Sequence, residues 1–238
     1  QCADHPHESH VKVPKATPKD LNAEIPSEVS VAGASIPLTL ANVKNLQSSP
    51  GASKVIYINN WGGVLSGTAW NANFNDNNDL PYDPYDIDGD TTSFNNEELY
   101  RMWLAWKEAA EDYAPFDLNV TTSQAVYDAT PIADRSQIIA TTTATRDTFY
   151  PGAGGVAYVG IFNNTTDFYK TGWTFNSGTG SMGMTHSHES GHQMGLSHDG
   201  LVGADGQPGT EDDPGYYGGH GSWGPIMGAP FGKKYVQW

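Results

Sequence analysis

Within this chain of 238 residues, His188, Glu189, His192 and His198 are the residues whose types and spacing bring chemistry together. They stand in the run His188-Glu189-Ser190-Gly191-His192-Gln193-Met194-Gly195-Leu196-Ser197-His198-Asp199. On a helix, residues four apart share a face, so the rings of His188 and His192 aim at one point. Neutral imidazole ligates zinc well, and two rings from one helix leave two corners of a tetrahedron to fill. Glu189 projects about 100° further round the helix, where its carboxylate is better placed to hold a water than to bind the metal. Gly195 can take the left-handed backbone that ends a helix and turns the chain back, which lets His198 supply a third ligand. The fourth corner then stays open, which marks a catalytic zinc site rather than a closed structural one. The bland alternative is an amphipathic helix with surface histidines.

The same run resembles the extended histidine motif of the metzincin clan of zinc endopeptidases, and Asp199 after the third histidine is similar to its adamalysin-type form. Members carry a methionine turn further on; Trp223-Gly224-Pro225-Ile226-Met227-Gly228, beginning 25 residues beyond His198, is identified as its counterpart. Stretches 51–58, 111–122 and 154–162 are similar to secreted bacterial proteases of the clan, and the resemblance spans residues 45–238.

The resemblance implies an α+β fold: a metzincin-like catalytic domain over 46–238, with a twisted mixed sheet, an antiparallel edge strand, two main helices and an irregular C-terminal subdomain. It implies Zn2+ on His188, His192 and His198, with Glu189 as general base for attack of a metal-activated water on a peptide bond. Met227 becomes an apolar floor beneath the ligands. Asp199 either touches a ligand or anchors the turn beneath the site. Some relatives place a ligating tyrosine two residues after the methionine; here that position is Ala229, so none is expected. The chain stops eleven residues past Met227, at Trp238, where members continue into a helix, and trimming, truncation and family variation all account for that.

The positioning elements are partly legible. Val55-Ile56-Tyr57-Ile58 reads as a buried strand, as do 117–122 and 137–143. A helix runs from a Ser93 cap to Pro115, with Leu99, Trp103, Trp106, Ala110 and Tyr113 on one stripe and Glu97 and Glu98 in its first turn. Gly154–Phe162 reads as a strand, either interior or the sheet's edge. In the clan the corresponding edge pairs antiparallel with substrate backbone. The zinc helix is expected from Ser181 or Met182 to Met194, with Met184 and Met194 inward. Beyond it, 200–224 reads as a long irregular loop that Asp205, Asp212 or Asp213 ties to a second ion, and His220 as a structural or exposed histidine.

Composition closes off other classes. A net charge of −15 argues against nucleic acid or an anionic membrane as partner, and no apolar run suffices to span a bilayer. Protein or peptide substrates and a monomer are expected. No leader precedes the chain at Gln1, which is read as a processed form, and secretion follows from that and the resemblance. Residues 1–45 hold five prolines and no sustained periodicity, and read as an extended or loosely attached N-terminal arm, with a pro-segment as one reading of it. The single cysteine, Cys2, either occupies the open zinc position as an inhibitory ligand, as in a zymogen, or belongs to an uninvolved tail that also carries His5, His7 and His10. Asp86-Ile87-Asp88-Gly89-Asp90, with Glu97 at the twelfth position, approximates a Ca2+ loop, but its glycine sits fourth rather than sixth. A solvated acidic loop capping the next helix is the alternative. Asn119, Asn163 and Asn164 lie in glycosylation sequons. Two functions remain: a zinc endopeptidase, or a non-catalytic binding or adhesion module that keeps the fold and a structural zinc.

Overall fold

The computed structural model describes residues 25–175, 181–207 and 215–238. Cys2, His5, His7, His10, Asp212 and Asp213 lie outside the described residues. Among the described residues, none of the helices is long and apolar enough to cross a membrane.

In chain order the elements are β1 (Glu28–Val31), β2 (Ala34–Pro37), α1 (Leu40–Val43), β3 (Lys54–Asn59), β4 (Trp61–Leu65), α2 (Ala69–Phe74), β5 (Leu80–Pro84) and α3 (Asn96–Asp112). There follow β6 (Leu118–Thr121), α4 (Gln124–Ala129), β7 (Arg135–Ala140), α5 (Thr143–Phe149), β8 (Gly155–Val156), β9 (Thr171–Thr174), α6 (Met182–Gln193), β10 (Trp223–Pro225) and β11 (Tyr235–Gln237). The main sheet runs β6-β3-β7-β9-β8. Its first four strands are parallel and β8 closes one edge antiparallel to β9, so the sheet is mixed, as expected of a metzincin-like domain.

Alternation along the strands separates two cores, with Ala140 of central β7 in the first and Ile139 in the second. Ile56 and Ile58 of β3 face the cluster holding Leu99, Met102, Trp103 and Trp106 of α3. Tyr57 faces the other way, onto Tyr127 of α4. The second cluster is aromatic: Trp173 of β9 meets Phe149, Tyr82 and Trp70 with ring centroids 4.9, 5.7 and 6.2 Å apart.

Helix α3 starts later than the Ser93 cap predicts. Asn95 accepts from Glu98 N at 2.9 Å and Glu98 accepts from Asn95 N at 2.9 Å, a reciprocal capping box. The Ser93 hydroxyl instead donates to Asp90. The helix also ends before Pro115, with Tyr113 as C-cap. On the stripe, Leu99, Trp103, Trp106 and Tyr113 are buried, while Ala110 is only partly buried beside the buried Ala105 and Ala109.

Three further expectations change. The expected strand 154–162 shrinks to Gly155–Val156, because Gly160 N and Phe162 N donate to the carbonyls of His192 and Gln193. That backbone caps α6 instead of extending the edge. Residues 28–43, read as a loose arm, form a hairpin and a short helix; Val29, Leu38 and Val43 join the α3 core and Trp103 Nε1 donates to Ser30 O. Asn119 is buried and accepts from Ser48 N and Ser49 N, so its sequon offers no accessible amide, whereas Asn163 is exposed.

Candidate metal centre

Helix α6 is buried along its whole length between α3, the sheet and the turn at Met227. Glycines permit that packing. A Cβ on Gly191 would lie 2.6 Å from Met227 Sδ and 3.1 Å from the Trp238 ring, and one on Gly183 would run into Glu108. Each helix glycine costs about 1 kcal/mol relative to alanine, so close approach is what these positions trade it for.

The end of α6 is a Schellman turn. Leu196 N donates to Gly191 O at 3.0 Å and Gly195 N to His192 O at 2.9 Å, with Gly195 at φ +101°. This turn places the Leu196 carbonyl 2.8 Å from His192 Nδ1. The carbonyl of Ile226, next to Met227, lies 2.7 Å from His188 Nδ1. A neutral ring that donates its Nδ1–H to a carbonyl presents only a lone pair at Nε2. Both helix histidines are therefore set as ligands by the backbone beneath them.

The three rings converge. Centroids of His188, His192 and His198 are 4.7, 5.2 and 4.6 Å apart, and each residue offers one nitrogen within 4.8 Å of the others. Nitrogens about 2.0–2.1 Å from one tetrahedral zinc lie roughly 3.3 Å from each other. The 2.9 Å between the Nε2 atoms of His192 and His198, and the 4.8 Å limit for all three, bracket that spacing. His188 Nε2 is buried without a hydrogen-bond partner, and a cation is the group that satisfies it. The residues present thus fit a zinc ion. Burial and the neighbouring rings hold the His188 pKa down to about 3, which keeps the ring neutral.

Glu189 lies on the same helix, with its Oε1 only 2.5 Å from where a Cβ on Gly155 would stand. The edge strand is glycine at the point where it passes the carboxylate. Glu189 Oε2 is buried and has no partner, and burial pushes its pKa well above the usual carboxylate range. A divalent cation beside it acts in the opposite direction.

Met227 is buried with its sulfur against Gly191, on the floor where the resemblance puts it. Asp199 is exposed, and its backbone makes the contacts: Asp199 N donates to Met227 O at 2.8 Å and Asp199 O accepts from Tyr217 N at 2.6 Å. It anchors the turn. His220 is also exposed and takes no part in the triad; its Nδ1 lies 2.8 Å from the Tyr217 hydroxyl. Asp205 accepts from Gln207 N.

One histidine and one tyrosine on or near the site escape sequence reasoning. His186, between the ligands' helix and β9, puts Nδ1 3.1 Å from Thr174 Oγ1, and burial alone takes its pKa down to about 3. Tyr216, missed within the Gly-rich run, packs against His198 at a tilt, with centroids 4.1 Å apart. Its pKa is raised by burial first, and then by the nearby Glu189 and Tyr150. A tyrosine pair bracketed by glycines shortly before the methionine turn was the only signal for it.

The acidic loop gathers Asp86, Asp88 and Glu98, with carboxylate oxygens within 4.8 Å, rather than Glu97. Glu97 pairs with Arg101. All three acids of the group already accept hydrogen bonds: Asp86 from Gly89 N, Asp88 from Asp90 N and Asn95 Nδ2, and Glu98 from Ile87 N and Asn95 N. The group lies at the helix-capping loop.

Two ligands on a buried helix, a third beyond a glycine turn and a methionine turn underneath define a metzincin-type zinc site. Residues 106–199, from mid-α3 to the end of the histidine run, match the model of Metallo-peptidase family M12B, Reprolysin-like. No curated protein matches the chain. The match and the triad together support a zinc peptidase.

Proposed function

We propose that the protein is a zinc-dependent endopeptidase in which Glu189 is the general base. The observation that carries this is the buried, unpartnered Oε2 of Glu189 one helical step from the inward-facing Nε2 of His188. A purely structural zinc site has no use for such a carboxylate. Zinc held by the triad supplies Lewis acidity that polarises a carbonyl and makes water acidic near neutral pH. Glu189 takes the proton of the attacking water and returns it to the nitrogen of the leaving amine.

Substrate enters, in this reading, as an added strand along β8. That strand ends the sheet, and its Gly155 abuts Glu189, so a peptide paired there passes the base. The 46–238 catalytic unit and a location outside the cell belong to the same proposal, on the resemblance alone.

Glu189→Gln is the direct test, because it keeps shape and removes the proton acceptor. Hydrolysis of a denatured protein substrate is expected to fall by about a thousandfold or more, with zinc content by atomic absorption unchanged. A variant as active as the parent would remove Glu189 from the chemistry. A parent that binds zinc and cleaves nothing would leave the adhesion-module reading in its place.

A further inference from the structure

Among the described residues, the buried polar atoms without a hydrogen-bond partner include His188 Nε2, Glu189 Oε2 and the Tyr216 hydroxyl. The first two are accounted for by a metal and by a water's proton. The third is not. A phenol that gives up water and gains no partner costs stability, so such a group asks for an explanation in a ligand.

The position of Tyr216 is held by more than its own contacts. Tyr217 N donates to Asp199 O, and Tyr217 O accepts from Ala229 N at 3.0 Å. Residue 217 is therefore bonded on one side to the segment carrying His198 and on the other to the turn carrying Met227. Gly228 lets that strap lie flat, since a Cβ there would stand 2.1 Å from Tyr217 O. With its neighbour pinned, the Tyr216 ring packs on His198 and sits 6.5 Å from His188, centroid to centroid. A ring packed against one of the three histidines, with its hydroxyl in the protein interior, presents an O–H donor to whatever occupies the site.

We propose that Tyr216 is a catalytic residue whose hydroxyl donates a hydrogen bond to the carbonyl oxygen of the scissile peptide as that oxygen becomes an oxyanion. The inference rests on the endopeptidase reading. No bond to Tyr216 forms or breaks; its proton stays on the phenol, and charge on the substrate oxygen is what strengthens the interaction. A donor that is already fixed and dry pays little reorganisation when charge develops, which is why such groups act more on kcat than on KM.

The experiment uses the zinc-loaded full chain and Tyr216→Phe, which keeps the ring contact with His198. Hydrolysis of a peptide substrate is expected to lose about a hundredfold in kcat with KM within about twofold. Binding of a phosphinic peptide, a tetrahedral mimic of the oxyanion, is expected to weaken by a similar factor by calorimetry. Binding of the planar cleavage-product peptide and the affinity for zinc stay unchanged. Tyr217→Phe, which removes only the hydroxyl facing His220, serves as the control and retains full kcat. Equal kcat and equal phosphinic-peptide affinity in Tyr216→Phe and the parent would overturn the proposal. So would a tenfold loss of zinc affinity, which would make Tyr216 a metal ligand. If the parent itself cleaves no peptide, the endopeptidase reading fails, and the phosphinic-peptide comparison still decides whether Tyr216 donates.

Discussion

His188 and His192 rise from a helix whose every residue is buried, whereas His198 follows a turn in which Gly195, Leu196 and Ser197 are all exposed. On the first side, side chains do the positioning: Tyr113 donates to Ser187 O, Ser187 to Asp112, and Met227 and Trp238 press on Gly191. On the second side, backbone does it. Asp199, Tyr217, Met227 and Ala229 are joined by main-chain hydrogen bonds with almost no regular structure between them. One site thus uses packing for two ligands and stitching for the third. Packing tolerates no added volume, and stitching tolerates no change of backbone angle, so the two halves should fail under different substitutions.

The largest effect is expected on the packed side. Gly191→Val drives a branched side chain into Met227 Sδ and the Trp238 ring, so α6 must move away from the floor of the site. Overpacking of this kind costs about 2–3 kcal/mol, measured as a lower midpoint in chemical denaturation. Zinc affinity falls with it, because His192 sits one residue from the collision. A variant that denatured at the parent's midpoint and kept its zinc would show that α6 is not packed as described.

Next in size is the contact between the edge strand and the base. In Gly155→Ala the new methyl meets Glu189 Oε1 at 2.5 Å and Thr185 Cγ2 at 2.6 Å. Displacing the proposed proton acceptor is expected to lower kcat about ten- to a hundredfold, while the triad keeps its zinc. Zinc titration alongside steady-state kinetics separates this from Gly191→Val, which loses both. Equal loss of metal in the two variants would erase the distinction between base and ligands.

On the stitched side, Gly195→Ala adds no bulk to a crowded place: only Gly160 Cα, at 3.8 Å, is near the new methyl. Its cost is conformational, since φ +101° is a left-handed angle that an L side chain resists. About 1–2 kcal/mol follows, and the Schellman bonds that aim the Leu196 carbonyl at His192 loosen. Thermal unfolding of the zinc-free protein reads the strain directly. Substituting Asn, which visits this region more readily, should recover part of the loss; a lack of any difference between Ala and Asn would argue against strain as the cause.

The same contrast explains what was legible beforehand. Helix-bound features carry a period and end signals, so α6 was read to within a residue from its histidine spacing and Gly195, and β3 from its apolar run. Backbone stitching leaves no such trace, and the placement of Tyr216 by its neighbour's N–H and C=O has no sequence pattern at all. Strand β9, Thr-Gly-Trp-Thr, is too short to alternate and went unseen. The hairpin at 28–37 turns on Ala32-Gly33, both at positive φ, in place of the Asn-Gly that would have announced it, amid prolines that suggested a loose arm. Ser93 and Asn95 were both competent caps for α3, and only Asn95 has a glutamate three residues on to close the box.

The smallest effect tests whether the packed side holds a built-in charge penalty. Glu108 and Asp112 lie on the α3 face that meets α6, and burial pushes their pKa values up to about 7 and about 6, with each further raised by neighbouring acids. A carboxyl whose folded pKa exceeds its unfolded value binds protons more readily when folded. The folded state therefore gains as pH falls through those values, and the gain is complete once pH is below the ordinary carboxyl range. His186 and His188 work in the other direction, because burial depresses them: the unfolded chain takes up their protons first, and stability falls as pH drops below about 6.5. The two terms oppose each other, so the parent's own pH profile has a shallow maximum and says little. The difference between Glu108→Gln and the parent isolates one term. Glutamine carries no charge to bury, and the zinc-free variant is expected to exceed the parent by roughly 1–2 kcal/mol at pH 8 and to lose that advantage by pH 5. An advantage that stayed constant across this range in urea titrations would assign the effect to packing against Gly183 rather than to ionisation.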